Sequence, residues 1–267
     1  MSIIYINPYR FGPAYDADAQ DYFNRVIAAD VAAGNTSGLE VDVQNAINDF
    51  VVGCKSDGIW NAIKASCILA GARTLAGALV PLVGTAPTNN NFVAGDYDRE
   101  TGLKGNGSTK YLGSNRAGNA DPLNSAHLSV FASTASTSGA FKTYISAGTG
   151  VGPYKGLAYD TSASLGTYGT LNSNTVIGST GTQLAGFIGI SRPSSATVDF
   201  RAGGSTSSTS NASTSAPTLP INIFATSSAT NFADGRLAFY SIGESLDLAL
   251  LDTRVTTLMS DLAAAIP

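Results

Sequence analysis

Ionisable side chains are scarce in this chain. Only 15 of its 267 residues are Lys or Arg and 19 are Asp or Glu, a 13 % share that is about half of ordinary globular usage. From Tyr111 to Ala233 just eight charged side chains interrupt a background of Ser, Thr, Gly, Ala and Asn. General acid–base catalysis draws on titratable groups, so this stretch is poor ground for an active site. The net charge of −4, with no Lys/Arg cluster, excludes the basic stripe that a nucleic-acid surface needs. The single histidine, His127, opens an alternating run beside no Gly-x-Ser-x-Gly elbow, which predicts a strand-end residue outside any Ser–His–Asp triad. Cys54 and Cys67 are too few for a disulfide scaffold and, with one histidine, for a zinc site, so both are expected as small buried hydrophobes. Gly148-Thr-Gly-Val-Gly152 lacks the Lys-Ser/Thr of a phosphate loop, and no cofactor is expected. Long apolar runs are also missing. The most apolar stretch, 65–83, is broken by Gly71, Arg73, Gly77 and Pro81, so no membrane insertion is expected. Met1 to Pro8 shows neither the basic nor the apolar region of a secretory leader.

What is present is enough for a folded core, since 43 % of residues are apolar. The first seventy residues follow a helical period. Tyr22, Phe23, Val26, Ile27 and Val31 form one stripe ending at Gly34, and Val43, Ala46, Ile47, Phe50 and Val51 form a second. Ser37-Gly-Leu-Glu40 has capping-box spacing, and Asp57 is placed to cap a third short helix with Ile59, Trp60 and Ile63. Cys67 to Ala70 and Ala78 to Val80 then read as short strands between Gly and Pro. Beyond them, alternating runs predict strands near 127–134, 142–147, 155–160, 184–190, 196–201, 221–226 and 236–242, the pattern of a two-sheet antiparallel sandwich. Residues 203–217 read as a long loop or as a strand pair wet on both faces. Leu248, Leu251, Val255, Leu258 and Leu262 mark a closing helix over 245–265.

Two groups of side chains qualify as candidate sites. Asp96, Asp98 and Glu100 alternate, the spacing of a glycosidase acid and nucleophile on one strand face or of calcium ligands, and equally that of a solvated loop in which Arg99 pairs locally. Tyr97, Tyr144 and Tyr159, with Tyr111, Tyr154 and Tyr168, offer rings that can stack on a sugar, although tyrosine is also common strand material.

The order of several segments carries a resemblance. Asp57-Gly-Ile-Trp60, Leu69-Ala-Gly-Ala-Arg73 and Leu79-Val-Pro81 precede Asn91-Phe-Val-Ala-Gly-Asp-Tyr97 and Thr101-Gly-Leu-Lys-Gly-Asn-Gly-Ser-Thr-Lys-Tyr-Leu112. Far downstream, Arg236-Leu-Ala-Phe-Tyr-Ser-Ile-Gly243 leads into the closing helix. Over residues 57–265 this resembles a group of tailed-phage and prophage virion proteins built on a concanavalin A-like (LamG-type) jelly roll. The resemblance implies a mainly β fold with an N-terminal helical module for attachment or oligomerisation over 1–66, a jelly roll over 67–243 and a packed C-terminal helix over 244–267. It implies a non-enzymatic virion protein of a tail fibre, appendage or capsid surface, with other virion proteins and copies of itself, as in a trimer, for partners. It carries over no catalytic residue and no metal ligand. Two rival readings stay open: an adhesin module that binds host surface polysaccharide through Tyr97, Tyr144 and Tyr159, and a glycoside hydrolase using Asp96, Asp98 or Glu100.

Overall fold

A computed structural model describes residues 15–136, 141–148, 154–160, 166–178 and 185–267. The leader reading over Met1 to Pro8 and most of the Gly148–Gly152 run lie outside them. The helices are α1 (Ala17–Ala32), α2 (Val41–Ser56), α3 (Leu75–Ala78) and α4 (Leu248–Ala265). The strands are β1 (Ile63–Ile68), β2 (Thr88–Asn90), β3 (Tyr97–Asp98), β4 (Gly102–Lys104), β5 (Tyr111–Ala117), β6 (Ala126–Thr134), β7 (Phe141–Ala147), β8 (Tyr154–Asp160), β9 (Gly166–Ser173), β10 (Gly186–Arg192), β11 (Thr197–Ala202), β12 (Ser205–Ser210), β13 (Pro220–Ile223) and β14 (Arg236–Gly243). They form two sheets, β12-β11-β10-β6-β14-β4-β3 with β1 also on β14, and β2-β5-β13-β7-β8-β9. Every pairing between these strands is antiparallel. The expected sandwich is therefore present.

Apart from its exposed edge strand β12, the eight-stranded sheet is buried on both faces. Leu128, Val130, Ile188, Ile190 and Ile242 meet Leu112, Ile145, Leu157 and Ile223 of the six-stranded sheet in the core between them. Its other face carries Ile68, Phe187 and Phe239 against Phe23, Val26, Ile47, Phe50, Leu251, Val255 and Leu258 of the helices. A bulge in β14 between Leu237 and Phe239 allows Ala238 and Phe239 both to join this helix-side cluster, before Tyr240 and Ile242 return to the sandwich core.

Several local expectations are corrected. The capping box at Ser37–Glu40 does not form, because the Glu40 carboxylate reaches Arg73 (2.8 Å) and Arg99 (2.7 Å) instead of its own helix. Asp57 ends α2 and receives two hydrogen bonds from Arg254, while the expected third helix is a single turn at Trp60–Ala62 that runs straight into β1. The domain boundary drawn after residue 66 thus falls inside β1. The strand expected at Ala78 to Val80 is replaced by the end of α3, whose backbone is capped by Thr74. Val31, placed on the first stripe, is 48 % exposed. Of residues 203–217, expected as a long loop or as a strand pair wet on both faces, 205–210 instead form a single exposed strand paired to β11, and 211–217 carry no strand.

Candidate functional site

Asp96, Asp98 and Glu100 sit around the β3–β4 turn, and two of them are engaged in holding it. Asp96 accepts from the Lys110 ammonium and from Val93 N–H (2.8 Å). Burial opposes its ionisation, but these two bonds outweigh it and hold the carboxyl below the usual carboxylate range. Asp98 accepts from the Thr101 hydroxyl (2.6 Å) and from the backbone N–H groups of Thr101 and Glu100, and the Thr101 bond likewise lowers its pKa. A glycosidase proton donor needs the opposite shift. Glu100 is exposed. Arg99 does not pair within the turn. It clamps Glu40 and donates to the carbonyls of Gly71 and Ala72, fastening the turn to the start of α2.

The tyrosines are dispersed. Tyr97, at the rim of the eight-stranded sheet, donates its hydroxyl to Ala72 O (2.8 Å). Tyr144 is 0 % exposed in the sandwich core, so its ring has no face open to a sugar. Tyr159 is half-buried on β8, in the other sheet from Tyr97. A groove of about 500 Å³ lined by Pro193, Asp199, Thr206, Leu246, Asp247 and Leu248 contains none of these candidates.

His127 lies in a buried polar chain. Its Nδ1 is 2.6 Å from Glu244 O, its Nε2 is 2.8 Å from Ser241 Oγ, and Ser241 Oγ is 2.8 Å from Ser129 Oγ. A carbonyl only accepts, so Nδ1 carries the proton, Ser241 donates to Nε2, and Ser129 donates to Ser241. The distance is that of a nucleophile and its base, yet His127, Ser129 and Ser241 are all 0 % exposed and substrate has no approach. Burial lowers the His127 pKa to about 4, keeping the ring neutral.

Sequence reasoning missed the buried charged groups, Asp30, Arg192 and Lys155 among them. Asp30, on the apolar stripe of α1 four residues after Val26, accepts from Arg73 N, Thr74 N and Thr74 Oγ1 and so anchors the start of α3. Arg192 is fully buried and donates to carbonyls of Leu171, Ser194 and Asn211 and to the Asn211 side chain. Lys155 is also fully buried, 3.6 Å from an Asp121 carboxylate that Arg116 already holds, and burial lowers its pKa to about 8. The signal available was charge inside a strand or on an apolar stripe. Each of these groups ties two or more segments together.

Both cysteines are buried thiols, as expected, and burial pushes each pKa up to about 12. Among the described residues no cluster of three or more His, Cys, Asp or Glu is placed to hold a metal, and no helix is long and apolar enough to cross a membrane. No protein family and no curated protein matches the sequence. Among solved structures, the botulinum neurotoxin serotype D binding domain aligns over 74 % of this chain and 52 % of its own, at 12 % identity and a TM-score of 0.47. A Trypanosoma rangeli sialidase in complex with 2,3-difluoro-KDN aligns over 75 % of this chain and 33 % of its own, at 11 % identity and a TM-score of 0.46. The chain thus spans about half and a third of the lengths of these two proteins, and the likeness concerns the β-sandwich fold alone.

Proposed function

We propose that this chain is a non-enzymatic structural protein of a tailed-phage virion, part of a fibre, tail appendage or capsid surface, acting through contacts with other virion proteins. One observation carries the reading. The two segments that resemble the virion group, 101–112 and 236–243, are far apart in sequence and form one joint in space. Leu103 pairs with Leu237 and Lys104 with Arg236, and Arg236 donates to Gly102 O. Gly105 N–H bonds Gly235 O (2.9 Å), and a Cβ at Gly105 would lie 2.2 Å from Ala233 O. The shared residues therefore follow from a packing requirement, a close approach of two backbones that only glycine permits. The engagement of Asp96 and Asp98 in turn structure agrees with a mechanical role for the β3–β4 region.

Mass spectrometry of purified particles from the strain that encodes the chain tests the proposal. The expected result is the chain present at a fixed copy number per particle, with a cryo-EM map placing its sandwich on the head or tail. Particles that lack it overturn the reading.

A further inference from the structure

The edges of the two sheets are unequal. β3 and β2 are two and three residues long. β1 is covered by the return of the chain, through Ser66 N to Val83 O and Leu82 N to Ser66 O, and β9 is covered by paired bonds between Gly169 and Ile177. β12, six residues long, is paired on one side only among the described residues, and all six residues are exposed. Gly203 and Gly204, at φ +57° and +76°, make the two-residue turn into it, and Ala202 faces Ser205 across that turn. In such a hairpin the closing pair exchanges both hydrogen bonds and the pattern then alternates. Ser205, Ser207 and Thr209 therefore bond β11, while Thr206, Ser208 and Ser210 turn their N–H and C=O groups outward.

Exposed edges are usually blunted by an inward Lys, a Pro or a bulge. The β12 sequence, Ser-Thr-Ser-Ser-Thr-Ser, has no charge and no proline, and its register with β11 is unbroken from Ser205 to Ser210. We propose that β12 is a self-pairing edge, through which a second copy of this chain adds its own β12 antiparallel across a two-fold axis at Ser208. Residues opposite each other in an antiparallel ladder must both turn their bonds inward, which selects the register with Thr206 facing Ser210 and Ser208 facing its own copy. That register uses every outward group and forms about six main-chain hydrogen bonds.

A second copy fits better than a foreign peptide for two reasons. Peptides that add to an edge draw specificity from side-chain pockets; Thr206 borders the groove it shares with Asp199, but the other five β12 residues are absent from that lining, and the strand presents hydroxyl rows that match themselves. Charge also permits the approach. Arg201, the nearest cation, is paired with Asp252 (2.7 Å) and donates to Thr206 Oγ1. Asp199 and its copy would stand about 14 Å apart, three strand spacings and beyond the Debye length of about 8 Å. The contact buries on the order of 600 Å², about half of what a stable interface needs, so it is weak alone and strengthens when other contacts hold copies side by side. It stands independently of the virion proposal.

The test is sedimentation equilibrium of the full chain from about 20 µM to 1 mM, a span suited to a contact of this size, with amide exchange measured at both ends. The average mass is expected to rise toward the dimer. The amides of Thr206, Ser208 and Ser210 gain protection with concentration while those of Ser205, Ser207 and Thr209 do not change. Ser208→Pro removes an outward N–H that an edge strand can spare, and Ser208→Lys sets two ammonium groups face to face. Each is expected to weaken association by roughly tenfold or more with unchanged circular dichroism. A monomer throughout, a dimer indifferent to both substitutions, or concentration-independent exchange at Thr206, Ser208 and Ser210 overturns the proposal.

Discussion

His127 ties pH to stability through a single buried ring. Its pKa of about 4 in the folded chain lies below the ordinary value of 6.5, because burial disfavours the imidazolium. Between those two values the unfolded chain binds a proton that the folded chain refuses. Stability is therefore complete above pH 6.5, falls as the pH drops, and levels off below about pH 4, at a rate near 1.4 kcal/mol per pH unit and about 3 kcal/mol in all. Lys155, at about 8 against 10.5, works in the same direction in the alkaline range, since stability should rise as the pH climbs between those values. Urea unfolding at pH 7.5 and 4.5 checks the histidine. His127→Gln lowers stability at both pH values, and its loss between them should be smaller than the wild type's by about 2.5 kcal/mol, most of the full effect. Equal losses in the two proteins would assign the acid sensitivity elsewhere.

Between elements, side chains of distant segments do the fastening. Asp30 projects from α1 to receive three hydrogen bonds from Arg73 and Thr74, and Gly77 leaves room for it, since a Cβ there would sit 2.3 Å from its Oδ1. Asp30→Ala leaves two backbone N–H groups without their acceptor and is expected to cost about 2–4 kcal/mol in denaturant unfolding. A cost below about 1 kcal/mol would mean that water replaces the carboxylate without loss. Most helix and strand periods could be read from the sequence because a local apolar pattern reports a buried face. β6, β7, β8, β11 and β14 fall within one residue of their expected ends. β9 was not legible: Gly-Thr-Tyr-Gly-Thr-Leu-Asn-Ser has no alternation, yet all eight residues are buried. Small residues are required there, as a Cβ on Gly169 would lie 2.8 Å from Ile190. The Ser37–Glu40 box failed for a related reason, since its Glu is recruited by Arg99, 59 residues away. Spacing along the chain reports local bonds and is blind to such partners. The same holds for the candidate acids and tyrosines, whose types were legible while their dispersal depended on the final packing.

On the scale of the whole molecule, the eight-stranded sheet is the middle of three layers, and both ends of the described chain supply the layer above it. α1 and α2 give their apolar stripes to this layer, so any contact they make with another protein must use their outward faces. α4 completes the layer with Leu248, Leu251, Val255, Leu258 and Leu262, all nearly or fully buried. At about 1.5–3 kcal/mol for each such side chain, the helix contributes roughly 7–15 kcal/mol of burial, as much as the entire stability of an ordinary domain. Removing residues 245–267 would also expose Ile68, Phe187 and Phe239 on the outer face of the sheet and free Asp57 of Arg254. The truncated chain is expected to lose cooperative thermal unfolding and to aggregate, whereas Leu258→Ala in the full chain lowers stability by about 2–5 kcal/mol and leaves unfolding cooperative. Scanning calorimetry of the two proteins separates the cases. A truncated chain that still melts in a single sharp transition would show that the sandwich core between the sheets suffices to hold the fold.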